Sequence, residues 1–244
     1  MGALPEDEDR EGALRRLGDV SAARHIRSVV AVTGLAFEAR IAGGVTVISD
    51  GHRTAAILRA AIARGSRGII SFGIAGGLAP DLAPGQWVVA SAVVSDREHH
   101  PVDARWSECL LDALPRAKHA AIAGVDAPVA DPKAKRALHA RTGAIVVDME
   151  SHLAARIAAA HGLPFTACRV IVDPVHRNLP PAALLGMRPN GIPDIAAVLR
   201  SVIAQPGQLP GLMRLAIDAS IARASLRRGR AALGPSLAFP DAHA

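Results

Sequence analysis

Between about residue 28 and residue 204 the chain alternates short runs of β-branched apolar residues with longer alanine-rich stretches. A strand covered on both faces reads as a continuous apolar run, and alanine-rich stretches between such runs read as the crossover helices that do the covering. This pattern predicts strands over 28–33, 45–49, 68–72, 86–94, 120–125, 144–147 and 165–172. It predicts helices over 54–64, 104–114, 133–141, 149–161, 194–204 and 209–228. Gly65, Gly143 and Gly162 stand where helices end and a left-handed residue is favoured. The pattern implies one mostly parallel or mixed α/β domain over residues 25–205. Residues 1–24 form an acidic extension, and residues 206–244 form a basic amphipathic helix and tail.

Composition narrows the function. The densest apolar stretches, 68–79 and 87–94, are too short to span a bilayer. The charged first residues do not resemble a secretory leader, so a cytoplasmic protein is expected. Two cysteines, Cys109 and Cys168, make no disulfide framework and have no partner at zinc-ligand spacing. With no tyrosine and 2% aromatic residues, the stacking platforms of single-strand nucleic-acid binders cannot be built, so no nucleic-acid partner is expected.

Four segments carry polar or glycine residues at strand ends, where open α/β sheets place their ligands. Gly73-Ile74-Ala75-Gly76-Gly77 follows an apolar run and reads as a tight turn, or as backbone that a ligand approaches closely. It does not fit the dinucleotide fingerprint. In Val147-Asp148-Met149-Glu150, Asp148 reads as a helix cap. Glu150 reads either as a solvated first-turn glutamate or as a carboxylate that grips vicinal hydroxyls. In Arg169–Asp173 the even spacing puts arginine and aspartate on one side of a regular strand, as a structural ion pair or as a desolvated acid with its guanidinium. Gly34 and Glu38 follow the first strand, with Arg40 available to offset the glutamate. The adjacent His99 and His100 point apart and precede Pro101, so no metal site is expected there or elsewhere.

In this order, the segments Gly73–Pro80, Val147–Glu150 and Arg169–Asp173 resemble the purine nucleoside phosphorylase superfamily, in particular its nucleosidase branch acting on methylthioadenosine and adenosylhomocysteine. The segments 34–41, 176–181 and 205–212 are similar to the hopanoid-associated phosphorylases, assigned to removing adenine from the lipid nucleoside adenosylhopane. The resemblance implies a three-layer α/β/α phosphorylase-like fold with a central mixed sheet. It implies Asp173 as the acid at purine N7, Glu150 and Met149 at the ribose, and Val129 and Gly76 at the base. Glu38 and Arg169 would position the nucleophile, in a site formed with Gly34, Gly73 and Ile74.

The positions at which phosphorylases keep an arginine and a serine for phosphate carry Ser71 and Ile74 here. Hydrolysis by water and phosphorolysis with inorganic phosphate as co-substrate therefore both stay open, with Arg40 or Arg53 as a replacement anion anchor in the second case. No other cofactor is implied. The resemblance also implies a homo-oligomer. In the tail, Leu212, Leu215, Ala219, Ala222, Leu226 and Leu233 share one helical face, with Arg214 and Arg228 opposite. That face suits packing on the domain or peripheral contact with the inner face of a membrane. A soluble adenosine thioether as substrate and a non-catalytic lipid-nucleoside carrier are the rival readings.

Overall fold

A computed structural model of the protein describes residues 29–49, 53–185 and 195–240. The predicted extension 1–24 lies outside them. Eight strands and eight α-helices are present among the described residues. The strands are β1 (Val29–Thr33), β2 (Val45–Ile48), β3 (Gly68–Gly77), β4 (Trp87–Val94), β5 (His99–Pro101), β6 (Lys118–Gly124), β7 (Val146–Asp148) and β8 (Phe165–Asp173). The helices are α1 (Ala36–Ala42), α2 (Thr54–Ala63), α3 (Ala104–Ala113), α4 (Pro132–Thr142), α5 (Ser151–Ala160), α6 (Pro181–Leu185), α7 (Ile195–Ala204) and α8 (Leu209–Ala232). No helix among the described residues is long and apolar enough to cross a membrane.

The strands form one mixed sheet in the order β2-β1-β3-β7-β6-β4-β5. Strand β8 pairs parallel with β3 and antiparallel with β4, so β3, β7, β6, β4 and β8 close on themselves and β1–β2 extend the sheet from β3. Alternation along β1 sends Val30 and Val32 into one core, with Leu58, Ala154 and Ala158 of α2 and α5. It sends Val29 and Ala31 into the other, with Trp106, Leu110 and Leu226 of α3 and α8. The expected three layers are present.

The differences from the predicted elements have local causes. The glycine run 73–77 is not a turn: β3 continues through it, because its small residues leave room for side chains that arrive from neighbouring elements. The helix predicted from 149 opens at Ser151, where Asp148 accepts the amides of Glu150 (3.2 Å) and Ser151 (2.9 Å). The C-terminal helix runs to Ala232, and its predicted apolar face packs on the domain, burying Ala222, Leu226 and Leu233. That face is therefore not a membrane face. Short elements α1, α6 and β5 are too brief to register as periodic patterns.

Candidate active site

The site lies where β1, β3, β7 and β8 end together, and Arg169 is its centre. This side chain is completely buried on β8. Its Nη2 donates to Ser71 Oγ (2.5 Å), Glu150 Oε2 (3.1 Å) and Ser151 Oγ (3.4 Å). Its Nε lies 2.7 Å from Asp148 Oδ2, a charge contact rather than an aligned hydrogen bond. Ser151 Oγ also reaches Ser71 Oγ (3.0 Å), so two hydroxyls and two carboxylates brace one guanidinium. Asp148 thus does more than cap α5: the residue that starts the helix also orients the arginine.

Glu38, carried in from α1, is 1% exposed and faces the same arginine. Its Oε2 accepts the amides of Gly34 (2.8 Å) and Leu35 (2.7 Å), and its Oε1 accepts the amide of Ile74 (2.6 Å). Arg40, the offset expected from sequence, is exposed and donates instead to the Ala36 carbonyl. Two glycines are required by the crowding. A β-carbon on Gly73 would stand 2.4 Å from Glu38 Oε1 and 2.7 Å from Arg169 Nη1, and one on Gly34 would stand 2.4 Å from Glu150 Oε1.

Asp173 goes elsewhere. A bulge after Ala75 and Ile171 sets Asp173 opposite Gly76 and breaks the alternation that would have put it on the same face of β8 as Arg169. Of the two readings open from sequence, the structural Arg169–Asp173 ion pair is not formed, and each residue has a different partner. Asp173 Oδ2 receives a hydrogen bond from Lys135 Nζ at 2.5 Å. The same ammonium donates to the carbonyls of Asp173 (3.3 Å), Pro174 (3.1 Å) and Arg177 (3.3 Å), so all its donor capacity is committed at 0% exposure. Asp173 Oδ1 faces Gly76, whose β-carbon would meet it at 3.3 Å.

Lys135 is the residue that sequence reasoning missed. A signal existed: a chain that uses arginine almost throughout has only three lysines, and this one shares the buried face of α4 with Leu138. Of the remaining candidates, Met149 is half-buried between Asp148 and Glu150. Val129 is half-buried against the small cluster that contains Val147, the neighbour of Gly76. The loop that bears Val129 is pinned at both ends: His152 Nε2 meets Asp126 Oδ1 at 3.0 Å, and the Leu179 amide donates to the Ala130 carbonyl at 2.9 Å. His100 pairs with Glu98, and Arg53 is exposed.

Burial shapes the acid–base character of the site. It pushes Glu150 up to about 7, with Asp148 and Glu38 adding to the rise and Arg169 opposing it. Glu38 is also raised by burial, against the pull of Arg169 and its three amide donors. Asp173 is raised by burial although Lys135 pulls it down, and Asp218 adds to the rise. Burial works against the charge of Arg169, yet Asp148, Glu150 and Glu38 together hold it above the ordinary arginine value. Burial thus raises both Glu38 and Asp173, and each is opposed by its own cation, Arg169 for Glu38 and Lys135 for Asp173, on opposite sides of a glycine-lined strand.

No curated protein matches the chain. Among solved structures it is similar to the futalosine hydrolase of Helicobacter pylori, at 14% identity and TM-score 0.61 over 87% of this chain and 98% of that one. It is similar to the 5′-methylthioadenosine/S-adenosylhomocysteine nucleosidase of Neisseria meningitidis in complex with methylthio-immucillin-A, at 15% identity and TM-score 0.62 over 87% and 100%. The corresponding H. pylori nucleosidase gives 14% identity and TM-score 0.62 over 87% and 98%. These likenesses establish the fold. The family model for the phosphorylase superfamily matches residues 1–204, and with the mixed sheet and the strand-end site in place, the chain belongs to that superfamily of enzymes.

Proposed function

We propose that the protein hydrolyses the N-glycosidic bond of adenosylhopane, releasing adenine and leaving ribosylhopane. The observation that carries the hydrolytic reading is the charge balance around Arg169. One guanidinium faces three carboxylates, Glu38, Asp148 and Glu150, and its Nη2 is engaged by Ser71, Glu150 and Ser151 while Nη1 makes only a 3.5 Å contact with the Ile74 carbonyl. A phosphate dianion needs charge-assisted donors of its own, and here it would enter beside a surplus of negative charge. A neutral water needs only a base and a donor, and Glu38 and Arg169 supply them. Arg40 and Arg53, the alternative anion anchors, are both exposed.

The steps follow from the placement. Asp173 gives its proton to purine N7, so the C1′–N9 bond can break toward a neutral adenine as C1′ gains oxocarbenium character. Water adds to C1′ and passes a proton to Glu38. Glu150 accepts hydrogen bonds from the ribose hydroxyls, and its negative charge favours the cationic sugar. Met149 packs below the ring, and the pinned loop with Val129 and Gly76 faces the base.

Assignment of the lipid nucleoside rests on the resemblance of residues 34–41, 176–181 and 205–212 to hopanoid-associated phosphorylases. The nucleosidase names of the structural neighbours favour a second reading, a small soluble adenosine thioether. Adenine release from adenosylhopane in detergent micelles and from methylthioadenosine in buffer, each with and without phosphate, separates them. Faster release from the lipid, independent of phosphate, is expected. Turnover of methylthioadenosine alone would replace the lipid assignment, and ligand binding with no turnover would favour the carrier.

A further inference from the structure

Eight large apolar side chains stand exposed among the described residues, and six of them lie on two consecutive helices. Leu199 (56%) and Ile203 (80%) are one turn apart on α7. Leu209, Met213 (67%), Ile217 (60%) and Ile221 recur at four-residue intervals on α8. This ridge is not the face predicted from sequence, which is packed on the domain. It is the opposite side of the same helix, and among the described residues only the Gly85 turn reaches it, at Ile221.

The charges around the ridge choose its occupant. The exposed charged residues of α7 and α8 are Arg200, Arg214, Arg223, Arg227 and Arg228, all positive. The single acid on these helices, Asp218, is buried and paired with Arg177 at 3.0 Å. On one flank of α8, Arg40, Arg223, Arg227 and Arg230 surround Phe37 in a surface depression, with the Arg223 guanidinium 5.4 Å from the centre of the Phe37 ring. A second copy of this chain presenting the same face would bring arginines against arginines. Apolar side chains flanked by uncompensated arginines match instead the acyl boundary and headgroups of an anionic bilayer.

We infer that α7 and α8 form a peripheral docking surface for anionic membranes, with Met213 and Ile217 entering the interface and the arginines engaging the headgroups. The surface is tied to the active site. Asp218, on the inner side of α8, pairs with Arg177, whose carbonyl accepts from the same Lys135 that holds Asp173. A membrane-bound α8 therefore sits against the segment that follows the acid. The inference does not depend on which nucleoside is cleaved, because it is read by binding alone.

The test is co-sedimentation of the full chain with vesicles of phosphatidylcholine alone and of phosphatidylcholine mixed with phosphatidylglycerol. Binding to the anionic vesicles at least tenfold tighter is expected. Arg214→Glu should weaken it by about fivefold or more, the effect of one basic residue near an anionic surface. Met213→Glu/Ile217→Glu should abolish it while leaving the thermal melt unchanged. Binding that survives the double substitution, or equal binding to both vesicles, overturns the inference. So does a concentration-dependent dimer in light scattering that the double substitution dissolves and that never binds vesicles, since the ridge is then a self-interface.

Discussion

Replacing Lys135 by methionine keeps the length and apolar stem of the side chain while removing the ammonium that four oxygens share: Asp173 Oδ2 and the carbonyls of Asp173, Pro174 and Arg177. Lys135 is completely buried and Asp173 is 5% exposed, so the carboxyl loses its partner in a desolvated place. Breaking a buried pair from one side costs about 3–5 kcal/mol, because the partner keeps its desolvation penalty. In a chain of this size that is a fall in Tm of roughly 6–20 °C, at about 2–4 °C per kcal/mol. A double-mutant cycle of Lys135→Met with Asp173→Asn, read by thermal and urea melts, should then show coupling of at least about 1.5 kcal/mol, within the range for residues in direct contact. Kinetics supply the sharper readout. Lys135 pulls the Asp173 carboxyl down, so its removal raises that group further. In the proposed mechanism Asp173 acts in its protonated form, so the alkaline limb of kcat/KM should move to higher pH in Lys135→Met. Coupling below about 0.5 kcal/mol, which is the additivity expected of independent sites, together with an unmoved limb, would refute the claim that Lys135 sets the state of the acid.

Glu38→Gln should lower kcat by about 10²–10⁴-fold, the usual contribution of a positioned base, with a much smaller change in KM, measured as adenine release under saturating substrate. Gly73→Ala would place a β-carbon 2.4 Å from Glu38 Oε1 and 2.7 Å from Arg169 Nη1, so the two side chains must separate. A loss of at least tenfold in kcat is expected, and a fully active Gly73→Ala enzyme would show that their convergence is not needed. Glu150 must be a carboxylate to accept from the ribose hydroxyls, and burial holds it at about 7. Binding of a ribose-containing inhibitor should therefore weaken as pH falls through about 7, and in Glu150→Gln that dependence should disappear from calorimetric titrations.

The α/β character and most of the strands were legible because runs such as Val29–Thr33 and Phe165–Asp173 are buried on both faces and carry that burial in their composition. Glu38, Glu150, Arg169 and Asp173 were legible as chemistry because charged residues beside such runs are costly unless they have partners. Which partner each one takes was not legible. The bulge after Ile171 changes the face that Asp173 presents, and a register shift of one residue leaves no mark in spacing. Lys135 lies buried on a helix whose exposed residues are ordinary, and only the fold brings α4 against the end of β8. Packing of the α8 face with Ala222 and Leu226 on the domain was one of the two sequence readings, whereas the outer ridge of Met213 and Ile217 was not singled out. The helical period of α8 shows two candidate apolar faces, and the domain decides which of them is covered.

Central to this account is that water, activated by Glu38 and Arg169, attacks C1′. The direct measurement is to run the reaction in ¹⁸O-labelled water containing phosphate and to weigh the ribosyl product by mass spectrometry. One ¹⁸O at the ribosyl product with no phosphorylated species is predicted. A phosphoribosyl product without the label would contradict the account and place an anion site where the structure puts three carboxylates around a single arginine.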